Sequence, residues 1–225
     1  AEANCYKDAD DCSINTAYGT STQAEVTCSV TIWFNANPSA GWKAHVNPSD
    51  SSTTTTDGSD SEAITNPSLQ GIDVVQGAIA YSTVVIGGTS DRQETSIGNV
   101  GNVEIDILLD GAAMTCTSGN CGSNTIPVAQ QKWYHVDEDW DWNAVATSAG
   151  PYVLQTSASG NDDETGCLNR SLEVRSAHAN TTETNESIWW KIRIPDEQAS
   201  GSYTGSNTFS STLSSACSEG YDPSP

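Results

Sequence analysis

Positive charge is the scarcest property of this sequence, which holds 8 Lys plus Arg against 29 Asp plus Glu and carries a formal net charge of −21 at pH 7. A nucleic-acid-binding surface needs cations along the phosphate backbone, so this balance argues against that class of protein. It argues equally against electrostatic attachment to an anionic membrane. We interpret the acidity as a solvated surface that keeps the protein in solution and suits a saline habitat or cation binding.

Strong helix formers and long apolar runs are also rare. There is one Met, and Leu and Lys are scarce, so several of the residues that favour helices are rare. No apolar run reaches the length that a membrane-spanning helix needs, and we expect no such span. Thr and Ser are abundant instead, and both suit the half-exposed surface of a sheet. This composition favours an all-β protein.

Recognisable catalytic motifs are missing. The three His residues, at positions 45, 135 and 178, are isolated, and the sequence contains no nucleophile elbow, zinc-protease motif or phosphate-binding glycine loop. Paired carboxylates of the kind that glycosidases use are plentiful, but no pattern singles out one pair. We therefore predict that the protein is not an enzyme and that it needs no cofactor, with calcium as the one ion to consider.

Seven cysteines indicate disulfides formed in an oxidising compartment. None has the spacing or the neighbouring His of a zinc site. The turn sequence Thr-Ser-Gly-Asn between Cys116 and Cys121 predicts a bridge between those two. Cys5–Cys12 is the next most local pairing and is predicted second. The pairing of the remaining three stays open, with one thiol left over: Cys28, Cys167 and Cys217.

Two features predict export to the cell surface or the medium. The sequence begins at Ala-Glu-Ala without a Met, as expected after removal of a signal peptide. Three glycosylation sequons occur close together, and we predict covalent glycans there: Asn169, Asn180 and Asn185.

Alternation of apolar and polar residues marks eight to ten short strands separated by turn residues. They predict one antiparallel two-sheet sandwich over residues 23–225, jelly-roll or immunoglobulin-like. Residues 1–22 are polar and read as an extended arm with Ile14 and Tyr18 as its apolar anchors. The clearest predicted strands are 25–34, 77–86, 103–109, 187–194 and 202–213.

The run Asp137-Glu-Asp-Trp-Asp-Trp142 has two interpretations. Its two Trp residues could stack on a sugar, but we favour their packing in the core, because large aromatic side chains dominate core burial. Its carboxylates are also hard oxygen ligands of the kind that calcium prefers. The candidate calcium ligands are Asp137, Asp139 and Asp141, or alternatively Asp162 and Asp163, against a default of hydrated charge.

Two segments carry a resemblance to a known group of proteins. Residues 95–107 include Asn99-Val-Gly-Asn before an alternating strand, and residues 194–209 include a Pro-led turn followed by Gly-x-Tyr-x-Gly. Both resemble segments of secreted β-sandwich fibre subunits of the TasA and camelysin type and of archaeal bundling pili. The resemblance implies a subunit of an extracellular filament in which the arm of one copy, anchored by Ile14 and Tyr18, completes the sheet of the next copy. Its partners would be copies of itself.

A second hypothesis from a different class also fits the sequence. A secreted adhesion module that binds carbohydrate or calcium would use the same export signals and the same acidic and aromatic residues. The two hypotheses differ in assembly, because only the first requires the protein to polymerise.

Overall fold

The computed structural model describes residues 12–20, 23–46, 59–60, 62–143, 150–158, 166–180, 182, 185–214 and 217. Within these ranges the regular elements are strands and a single 3-10 turn, and no α-helix occurs. No helix in this part of the chain could therefore cross a membrane. The strands are β1 (Cys12–Asn15), β2 (Glu25–Cys28), β3 (Ser39–Trp42), β4 (His45–Val46), β5 (Ser59–Asp60), β6 (Ile64–Asn66), β7 (Ile72–Gln76), β8 (Gln93–Asn99), β9 (Ile105–Gly111), β10 (Met114–Gly119), β11 (Thr125–Ile126), β12 (Gln131–Tyr134), β13 (Tyr152–Val153), β14 (Cys167–Leu172), β15 (Asn185–Ile192), β16 (Gly201–Thr204) and β17 (Asn207–Leu213).

Two sheets form the body of the molecule. A five-stranded sheet has the order β13-β12-β15-β8-β7, and a three-stranded sheet has the order β14-β9-β17. Every pairing in them is antiparallel. The core cluster draws its side chains from both sheets, so they pack face to face. The predicted all-β antiparallel sandwich is confirmed.

The core depends on strands in which apolar residues alternate with polar ones. Ile105, Ile107 and Leu109 of β9 are fully buried, as the sequence pattern predicts. Trp190 of β15 is buried too, and its ring meets that of Phe209 edge to face at 6.0 Å. These contacts join the two sheets, because β15 belongs to the larger one and Phe209 lies in β17 of the smaller.

The Asn99-Val-Gly-Asn motif is a buried corner between β8 and β9. The Asn99 side chain donates to the carbonyl oxygens of Val103 and Leu172, both at 2.8 Å, and accepts from the amide of Gly101 at 2.7 Å. A Cβ at position 101 would collide with the carbonyl oxygen of Leu69. The fold of the single chain therefore accounts for Asn99 and Gly101 in this motif, whether or not the protein assembles.

Asp106 lies on the opposite side of β9 from the apolar residues, as the alternation predicts, but it is fully buried there. Its Oδ1 accepts from the backbone amides of Arg170 at 3.0 Å and Ser171 at 2.9 Å, and its Oδ2 accepts from that of Cys217 at 3.4 Å. Because Arg170 and Ser171 lie where the β9–β14 register shifts, one carboxylate holds this irregular strand in place.

Three disulfides fit an oxidising compartment. The predicted Cys116–Cys121 bridge is present. The predicted Cys5–Cys12 bridge is wrong, because antiparallel pairing of β1 with β2 places Cys12 opposite Cys28, with their Cα atoms 4.1 Å apart, and these two form the bridge. Cys167 pairs with Cys217, and Cys5 lies outside the described residues.

Three predicted strands differ from the observed ones. The strand expected over 25–34 ends at Cys28, and the strand expected over 202–213 is split into β16 and β17 by the turn at Gly205. The buried strand expected over 77–86 is not a strand, since residues 77–85 follow β7 without entering a ladder. The first and third differences lie in the surface described next.

Candidate assembly surface

The N-terminal hairpin of β1 and β2 exposes apolar side chains to solvent. Ile14 and Val26 face each other across the hairpin and are 68% and 44% exposed, although such side chains normally lie inside. Every residue of both strands is exposed. Within the described residues, nothing buries either face of this hairpin.

Exposed apolar side chains continue beyond the hairpin at Tyr18, Val30, Ile32 and Trp33, each between two fifths and about half exposed. The strand that the sequence predicts over residues 25–34 ends at Cys28, and its predicted apolar face is exposed at Val26, Val30 and Ile32. The hairpin also crosses the predicted arm boundary at residue 22, because β1 lies in the arm and β2 lies beyond it. These side chains leave apolar surface in contact with water, a feature that interaction sites share.

A second feature is a segment with an unpaired backbone. Between Ala78 and Val84, no backbone N–H or C=O group bonds to the backbone of any described residue. The chain resumes pairing at Gly87, whose amide donates to the carbonyl of Ile194 at 3.0 Å. Unpaired main-chain groups in a β-rich protein are a template for another strand.

From Ala78 to Tyr81 the side chains alternate as they do in a strand, whereas Ser82 breaks the extended backbone with a φ of 57°, and Ser82 and Thr83 are both exposed. Ile79 and Tyr81 are half-buried, and Ala78 and Ala80 between them are exposed. The Tyr81 hydroxyl donates to Gln131 Oε1 at 3.4 Å, and burial raises the pKa of this phenol, which keeps the proton in place. The side chains of Ile79 and Tyr81 therefore anchor the segment to the core, while its backbone N–H and C=O groups stay available for hydrogen bonds to another strand.

Two cavities lie beside the segment, with volumes of about 300 Å³ and 400 Å³. Ile79, Tyr81 and Met114 line both of them. The partly buried Phe209 also lines the first, and the buried Ile192 also lines the second. Both cavities are open to solvent, so a surface groove lies beside the unpaired backbone.

No family model and no curated protein matches the chain. Within the described residues, the surface combines two features. One is the apolar β1–β2 hairpin, which no other element buries, and the other is the segment 78–84, whose backbone pairs with no strand.

The acidic and aromatic run 137–142 lies on the outer face of the five-stranded sheet and is held there by cations. Lys191 Nζ donates to Asp139 Oδ1 at 2.7 Å and to the carbonyl oxygen of Trp140 at 2.6 Å. The ammonium group also lies 4.9 Å from the centre of the Trp140 ring. Trp140 is 6% exposed and Trp142 is half-buried, but neither belongs to the core cluster between the two sheets, so the two rings pack on the outer face of the sheet and not in the predicted core.

Two further cations complete this attachment. Lys132 Nζ donates to the carbonyl oxygen of Trp142 at 2.8 Å, and burial lowers the pKa of this lysine. Arg92 pairs with Asp137 at 2.8 Å and covers the Trp189 ring at 3.9 Å. Cations are scarce in this chain, and their concentration here makes the run a fixed part of the sheet surface.

At this site the candidate calcium ligands already interact with other groups of the protein. Asp137 and Asp139 are paired with Arg92 and Lys191, and the hydrogen bond from Lys191 holds the pKa of Asp139 below its usual range. Asp141 accepts from the backbone amide of Asn143 at 2.9 Å. No group of three candidate ligands occurs in the part of the chain that the structure describes. Asp162 and Asp163 lie outside it, and calcium binding there stays a prediction.

Replacing Lys191 by Met should release the 137–142 run from the sheet. The change leaves the buried carbonyl of Trp140 without its donor, so we expect the free energy of unfolding to fall by about 1–3 kcal/mol. Tryptophan emission should shift to longer wavelength as Trp140 meets water. Arg193→Met is the control, because Arg193 makes an exposed hydrogen bond to Asn143 and should change stability by less than about 0.5 kcal/mol. Equal effects of the two variants would contradict this account.

Proposed function

We propose that the protein is a structural subunit of an extracellular filament whose copies join by strand exchange. The unpaired backbone of residues 78–84 carries this proposal. A strand from a second copy would satisfy these groups by β-augmentation, and its inward side chains would enter the adjacent cavities. The partner is thus another molecule of the same chain, and the reaction is assembly rather than catalysis.

The inserted element in this proposal is the β1–β2 hairpin. The sequence analysis expects a single extended arm, but the Cys12–Cys28 bridge ties β1 to β2, so the two strands would move together. Each strand of the hairpin pairs only with the other within the described residues, which leaves an outer edge on both sides. Insertion would cover Ile14 or Val26 and remove the exposed apolar surface.

The donor surface is the β1–β2 hairpin and the acceptor segment is residues 78–84, so the two surfaces are different parts of the chain. A contact between unlike surfaces is heterologous, and unless its rotation closes into a ring it continues as an open filament. Three disulfides agree with an extracellular location for such a polymer. The exposed apolar hairpin would then be a feature of the free subunit alone.

The charge of the subunit provides the experiment that tests this function. Copies with a net charge of −21 repel one another, and salt shortens the range of that repulsion from roughly 30 Å at 0.01 M to about 3 Å at 1 M. We expect electron micrographs of the purified protein to show monomers at low salt and long filaments at high salt. A protein that stays monomeric in sedimentation and in micrographs across this range would contradict the proposal.

A further inference from the structure

The three glycosylation sequons lie in three different structural settings. Asn169 is part of β14 and Asn185 is the first residue of β15. Asn180 lies in the connection between these strands. The sequence treats the sites alike, but the folded protein must accommodate a bulky glycan at any site that carries one.

Asn185 is packed into the sheet. Its backbone pairs with Gly98 of β8, and a Cβ placed on Gly98 would collide with both Asn185 Oδ1 and Arg175 Nη2. Arg175 is itself only 3% exposed. The Asn185 amide therefore lies close against the sheet backbone and a buried guanidinium, and a sugar attached to it would have to displace that packing.

Asn180 lies in a surface loop. Its Oδ1 accepts from Thr182, from the hydroxyl at 3.2 Å and from the backbone amide at 3.3 Å. Ala179 and Thr182 on either side are exposed. The hydroxyl of Thr182 and the half-buried side-chain amide of Asn180 are therefore held together in a loop whose flanking residues are exposed.

We propose that Asn180 carries an N-linked glycan and that Asn185 does not. In the modification, Asn180 Nδ2 forms a bond to C1 of the first sugar of a lipid-phosphate-linked oligosaccharide. The C1–O bond to the phosphate breaks, the lipid phosphate leaves with the bonding electron pair, and the amide loses one proton to a base of the transferase. The inference does not depend on the proposed filament, since it follows from the position of Asn180 in a loop and the packing of Asn185 in a strand.

Peptide mapping by mass spectrometry of the protein from its native source tests the inference. We expect glycopeptides that contain Asn180 and an unmodified peptide that contains Asn185. An Asn180 peptide without glycan, or a glycan on Asn185, would overturn it.

Paired variants expressed in the same source separate the two sequons. Thr182→Ala should remove the glycan from Asn180, Thr182→Ser should keep it, and Ser187→Ala, which destroys the sequon of Asn185, should leave the glycan mass of the whole protein unchanged. A loss of glycan mass in the Ser187→Ala protein would contradict the inference.

Discussion

Replacing both Ile14 and Val26 by Asp is expected to abolish filaments while the sandwich remains folded. The two side chains face each other across the hairpin and contact solvent in the single chain, so charging them should cost the monomer little. In a filament one of these two positions would enter a cavity, where an unpaired buried carboxylate costs several kcal/mol. We expect the concentration needed for assembly to rise at least about 100-fold.

The neighbouring pair on the same hairpin supplies the control. Ser13 and Thr27 also face each other, are also exposed and lie one position along each strand. Ser13→Asp with Thr27→Asp adds the same charge to the other face of the hairpin. Pelleting assays and electron micrographs at high salt should show filaments for this control and none for the Ile14 and Val26 variant. Similar loss in both variants would mean that charge alone matters and would contradict insertion of the apolar face.

Asp106→Ala is expected to be the most destabilising single change outside the apolar core. It leaves the part-buried amides of Arg170 and Ser171 and the buried amide of Cys217 without their acceptor. Charge-assisted hydrogen bonds of this kind are worth about 1.5–3 kcal/mol each, and their losses overlap, so we expect a fall of about 3–5 kcal/mol in the free energy of unfolding. Urea denaturation followed by circular dichroism measures it.

Two further variants make the interpretation of Asp106 specific. Asp106→Asn keeps one acceptor oxygen, so its loss of stability should lie between that of Asp106→Ala and the wild type. Glu104→Ala, at an exposed position two residues earlier, should change stability by less than about 0.5 kcal/mol. An Asp106→Ala protein as stable as the Glu104→Ala protein would show that the carboxylate does not hold β14.

The sequence predicts the sandwich well where strands are buried on a single face. The alternation in β9 and β15 identifies Ile105, Ile107 and Trp190 as core residues, and they are buried. The Cys116–Cys121 bridge is also predictable, because a short turn closes it. Local patterns suffice in these cases, since side-chain period and loop length decide the result.

The sequence fails where the answer depends on a distant partner. Cys12 pairs with Cys28 because of hairpin register, which cysteine spacing alone does not reveal. The pattern of residues 26–34 is that of a buried strand whether the burying surface belongs to the same chain or to another one. The burial of Asp106 depends likewise on three amides more than 60 residues away in the sequence.

In the proposed acceptor segment, residues 78–84, the sequence likewise predicts the local features but misses a feature that depends on distant residues. The sequence predicts burial of this segment, and Ile79 and Tyr81 are half-buried. The sequence also predicts a strand there, but a strand needs a partner, and no described residue of this chain bonds to the backbone of residues 78–84. The absence of a pairing strand within the described residues is a property of the fold, and it can be recognised only once the positions of the neighbouring strands are known.

Cross-linking from the acceptor segment tests the central claim most directly. Ala80 is exposed between the two inward side chains, so a photoreactive phenylalanine can replace it, and heavy and light isotopic forms of the protein can then be mixed and assembled at high salt. The account predicts cross-links from position 80 of one form to residues 12–33 of the other. Filaments whose cross-links from position 80 join only residues of the same molecule, or lead to some other surface of the neighbour, would contradict it.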